Sequence, residues 1–137
     1  MIQVTVRGCS AQEKDSWDRL VAMVLSDVGW NRDLTLYIDE SCFASQELSA
    51  GWDGWCIDST VALRPGLIAR PLRAYAVLVH ELGHVLGLKH VEKRNVMNPY
   101  SMYESCKKGV WPSPRQRDTA RRALQTRSAG VLDAVRH

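Results

Sequence analysis

The chain predicts an α+β domain on a small mixed, twisted sheet, and three observations lead there. Short β-rich segments and helical segments are interspersed without regular βαβ alternation. One long segment carries its apolar residues on a single helical stripe. Another is apolar around most of its axis, as expected of a helix buried on several sides.

The elements follow in order. "IQVTVR" (2–7) alternates and is rich in β-formers, which predicts a strand. From Gln12 to about Val28, Trp17, Leu20, Val21, Val24, Leu25 and Val28 recur at helical spacing, with Ser10 placed to cap the start. "LTLYID" (34–39) predicts a second strand, and "ELSAGWDGW" (47–55), with two Gly and two Trp, a loop. "CIDSTVALR" (56–64) reads as one strand or two, ending at Pro65-Gly66. The buried helix runs from about Pro71 through "LRAYAVLVHELGHVLGL". "NVMNPYSM" (95–102) is a turn, since Asn-Pro breaks regular structure. A last helix starts near Ser113-Pro114 and runs to about Thr126.

At 137 residues, with no repeat, low-complexity run or linker, the expectation is a single domain spanning 1–137. A domain of this size buries roughly two-thirds of its unfolded surface, enough for a core without staples. The formal charge of +3 gives no reason to expect a nucleic-acid partner. Arg115, Arg117, Arg121, Arg122 and Arg127 cluster, but a solvated face of the terminal helix accounts for them. No run approaches the roughly 18 apolar residues of a membrane span. No signal peptide is visible, so localisation stays open between cytoplasmic synthesis and extracellular or virion-associated action. A monomer without membrane or nucleic-acid partners is expected. Four cysteines (Cys9, Cys42, Cys56, Cys106) lack zinc-site spacing. Cys42 with Cys56 is the first pair to test, and free buried thiols are the alternative.

Three of the four histidines fall within "HELGHVLGLKH" (80–90). His80 and His84 stand four apart, so a helix projects both from one face, spaced to meet one Zn²⁺. Glu81 is placed beside the metal, where it can act on a water as general base. Six positions past His84, a straight helix would carry His90 away. Gly87 can take a left-handed conformation and turn the chain back, which would make His90 a third ligand. Three ligands leave a fourth position open, the mark of a catalytic site. HExxHxxGxxH arises by chance on the order of once in 10⁵ chains of this composition. A packed helix of core histidines and a closed structural zinc site are the competing readings.

This motif, followed by "NVMNPY" with Met97 seven residues after His90, resembles the metzincin metallopeptidases. Met97-Asn98-Pro99 is most similar to the turn of matrixins and the adamalysin group. The resemblance is specific over residues 80–99, and the order of elements is compatible with the family fold along nearly the whole chain. It implies a zincin catalytic domain with a central active-site helix flanked by an N-terminal and a C-terminal helix. It also implies one catalytic Zn²⁺ on His80, His84 and His90, with Glu81 as general base for a metal-activated water. Met97 would form an apolar floor. The strand at Ser59, Thr60, Val61, Ala62 and Leu63 would be the edge on which an extended peptide or protein substrate pairs. Tyr100 to Tyr103 would border the pocket beyond the cut, so Tyr100 and Tyr103 are candidate substrate contacts.

The chain also departs from the family pattern. Val91 follows His90 where the two closest groups have Ser or Asp. There is no cysteine-switch segment beyond a faint echo at Cys9, and no acidic, His-rich segment upstream of the helix. Pro99 stands where astacins and serralysins carry a metal-associated Tyr. The implied activity is a zinc-dependent endopeptidase. The alternatives are a catalytically weak zinc- or peptide-binding module and a metal-dependent hydrolase of cell-wall peptide.

Overall fold

The computed structural model describes residues 1–43, 52–90, 97 and 135–136. The expected last helix, most of the Gly/Trp loop, the turn around Met97, Cys106, Tyr100, Tyr103 and the arginine cluster lie outside the described residues. The elements are β1 (Ile2–Val6), α1 (Ala11–Val28), β2 (Leu34–Ile38), β3 (Gly54–Ile57), β4 (Thr60–Leu63), α2 (Pro71–Val85) and a two-residue β5 (Val135–Arg136). Short 3-10 turns follow β2 at Glu40–Cys42 and β4 at Pro65–Ala69. Among the described residues no helix is long and apolar enough to cross a membrane.

The sheet order is β1-β2-β4-β3-β5. β1, β2 and β4 are parallel, and β3 runs antiparallel to β4. The sheet is mixed, as expected, although its first part does form one βαβ crossover, β1-α1-β2. Period-two alternation puts Leu34, Leu36 and Ile38 of β2 on the inner face, in register with Val61 and Leu63 of β4. Helices α1 and α2 pack on each other, α2 packs on β3 and β4, and their buried residues join the inner sheet face in one core. Trp17 lies fully buried in it and donates from Nε1 to the Pro65 carbonyl at 3.0 Å, tying α1 to the turn before α2. Tyr75 on α2 donates to Asp27 on α1 at 2.7 Å.

The segment 56–64, open between one strand and two, forms two: β3 begins at Gly54, inside the stretch expected to be loop, and a tight turn at Asp58-Ser59 separates it from β4. Asp58 takes the left-handed conformation at φ 52°, which Asp tolerates better than most residues. The expected substrate edge is also misplaced. Ser59 sits in the turn, while Thr60, Val61, Ala62 and Leu63 form an internal strand bonded to β2 on one side and β3 on the other. An internal strand has no free ladder to offer a peptide; the outer position beyond it belongs to β3. Finally, Cys9, Cys42 and Cys56 are free thiols. Trp55 donates from its indole to the Cys42 carbonyl at 3.1 Å. Its neighbour Cys56 points to the opposite face of the sheet, into the core, so it faces away from Cys42.

Candidate metal centre

Helix α2 presents His80 and His84 one turn apart, both buried. Its end is built to bring a third imidazole to them. The Gly87 N–H donates to the His84 carbonyl at 3.0 Å, and the Leu88 N–H donates to the Gly83 carbonyl at 2.9 Å. That bond pair, with Gly87 at φ 89°, is a Schellman turn, and a side chain at position 87 would strain it. The chain reverses within three residues. His90 then places Nε2 3.2 Å from Nε2 of His80, which is itself 3.1 Å from Nε2 of His84.

The donor set fits a zinc ion. Two ligands about 2.0–2.1 Å from a tetrahedral ion stand about 3.3–3.4 Å apart. The two Nε2–Nε2 separations fall just short of that, and the three ligand atoms lie within 4.8 Å of one another. The tautomers agree as well. His84 Nδ1 lies 2.7 Å from the Leu88 carbonyl, which can only accept, so the proton sits on Nδ1 and Nε2 keeps its lone pair toward the cluster. Burial, helped by the neighbouring His90, lowers the His84 pKa to about 4 even against the stabilising Leu88 bond. Burial lowers His90 too. Both rings are therefore neutral near pH 7, the form that binds a metal. His90 is the exposed member of the three, so the cluster opens toward solvent on its side.

Glu81 is fully buried, and that burial raises its pKa well above the ordinary carboxylate value. Burial, with the Glu81 carboxylate and Asp58 adding to it, also pushes the Cys56 thiol far up. Cys56 is thus an inert core thiol rather than a nucleophile.

Met97 is fully buried against Gly83. A Cβ at position 83 would lie 2.5 Å from Met97 Sδ and 3.0 Å from its Cε. The methionine sulfur therefore occupies the notch left by a missing side chain on the histidine helix. The sequence reading named Met97 but missed Gly83. Its signal was present: a glycine in mid-helix costs about 1 kcal/mol against alanine and needs a packing reason. The Leu88 carbonyl was missed too, because a backbone acceptor leaves no trace in residue identity.

Of the expected site residues, the structure brings together His80, His84 and His90, with Glu81 on the same helix and Met97 behind it. Ser59 to Leu63 do not offer the edge assigned to them. No curated protein and no solved structure matches the chain. The matrixin model of the M10 peptidases matches residues 21–120, from within α1 through the histidine cluster and beyond Met97. With that match over most of its length, and with three converging imidazoles on the helix and turn inside it, the chain belongs to the matrixin family, whose members are zinc-dependent metalloproteases.

Proposed function

We propose that residues 1–137 form a single catalytic domain that hydrolyses internal peptide bonds of peptide or protein substrates, with one Zn²⁺ held by His80, His84 and His90. The observation that carries this reading is the convergence of three imidazoles, open on one side, at the end of the helix that bears a buried carboxylate. When bound, zinc would supply Lewis acidity to the scissile carbonyl and the attacking water. Glu81 takes the proton from the attacking water, because a carboxylate whose proton affinity is raised by burial is suited to accept it. It then delivers a proton to the leaving amine. His84 keeps one tautomer through its bond to Leu88, so its Nε2 does not need to reorganise. Met97 and Gly83 hold the helix face rigid behind the histidines.

The test is mass-spectrometric mapping of a diverse peptide library incubated with the zinc-loaded chain, beside Glu81→Ala. Cleavage at internal bonds that vanishes in a variant still holding stoichiometric zinc is the expected result. A folded, zinc-loaded wild type that cuts nothing would overturn the reading.

A further inference from the structure

Resting on the peptidase reading, we infer that the chain carries its own competitor for substrate: residues 135–136 hold the strand edge beside the candidate site and restrain peptide access to it. β3 is the strand beyond β4, and β5 pairs antiparallel along its outer side, with Cys56 opposite Val135 and Trp55 opposite Arg136. This is the side of the sheet that reaches the site. β3 packs on α2, and a Cβ at Gly54 would lie 3.2 Å from Cγ1 of Val77, one helical turn before Glu81.

A sheet edge presents unpaired N–H and C=O groups, and an extended peptide adds to it through main-chain bonds. One edge takes one strand. A peptide laid along β3 beside α2 must displace β5, and a ladder of two residues is short enough to be displaced. β4 offers no substitute, since both of its sides are bonded. The restraint is therefore competitive: it raises KM and leaves kcat unchanged.

The test uses the full 137-residue chain, zinc-loaded, against the double variant Val135→Pro/Arg136→Pro. Successive amides in a strand point to opposite sides, so two prolines remove whichever donor faces β3. Three readings are taken: amide hydrogen exchange over Gly54–Ile57, anisotropy of a fluorescent synthetic peptide of residues 131–137, and peptide hydrolysis. In the variant we expect faster exchange in β3 with α1 and α2 unchanged, tighter binding of the free peptide, and a KM lower by about 2–10-fold at equal kcat. Unchanged β3 exchange with equal peptide binding would overturn the inference and leave the peptidase reading intact. So would faster exchange with an unchanged KM. Faster exchange and tighter peptide binding with no hydrolysis by either protein would support the competitor and break the peptidase reading.

Discussion

Helices α1 and α2 are of similar length and lie in the same core, but different things keep them helical. α1 is held by its own sequence. Ser10 Oγ accepts from the Glu13 N–H and Glu13 returns the bond to the Ser10 N–H, both at 3.1 Å, while Gly29 closes the far end. Lys14–Asp18 and Asp15–Arg19 pair along its exposed side, and only Trp17, Leu20, Val21 and Val24 are buried. α2 has no side-chain cap at its start, and it is buried continuously from Ala76 to Val85. Three of those residues, His80, Glu81 and His84, are ionisable. Burying such groups opposes folding, and the apolar residues around them must offset it. α1 serves stability. α2 gives some of its stability up to hold the candidate metal centre.

The largest effect that could break this contrast is on turnover. Glu81→Gln is expected to lower kcat by about 10²–10⁴-fold, with zinc content and melting temperature held or improved. A variant retaining wild-type turnover would leave the buried carboxylate without the chemical role that distinguishes α2.

Next in size is a pH dependence that α2 should own. In the metal-free chain, unfolded His84 takes up a proton near 6.5 and folded His84 only near 4. At His84 the unfolded state therefore binds more protons between these values, and its contribution to stability is lost as pH falls through that window, levelling below about 4. That contribution is about 3 kcal/mol. Glu81, whose pKa burial raises, works in the opposite sense above its ordinary value. The His84 part is therefore read as the difference in urea-unfolding stability from pH 7 to 4 between the chain and His84→Gln, with the variant losing less stability toward pH 4.

Gly83→Ala sharpens the comparison inside α2. Alanine favours the helix, but its Cβ must displace the enclosed Met97 sulfur, so a net loss of about 1 kcal/mol with weakened zinc binding is expected. In a Met97→Ala background that loss should shrink or reverse, a coupling read by a double-mutant cycle. The smallest effect belongs to α1. Ser10→Ala should cost about 1 kcal/mol in urea unfolding and leave zinc affinity untouched. A change in zinc affinity there would mean that the two helices are not independent.

What the sequence determined by itself is local. The spacing of four puts His80 and His84 on one face of any helix, the 3.6-residue stripe from Trp17 to Val28 defines α1 with Ser10 as its cap, and Gly87 marks where α2 must stop. Each follows from backbone geometry within a turn or two of chain. Tertiary structure decided the rest. Strand order depends on pairing between residues far apart in sequence, which leaves no periodic trace, so β4 was mistaken for an edge. Its unbroken apolar run, Val61-Ala62-Leu63, was the one local hint that it lies buried on both faces. The 3.2 Å approach of His90 to His80 and the seating of Met97 on Gly83 are likewise contacts between residues well apart in sequence. Only the folded chain brings them within van der Waals reach, and only there does burial shift the protons of Glu81 and His84.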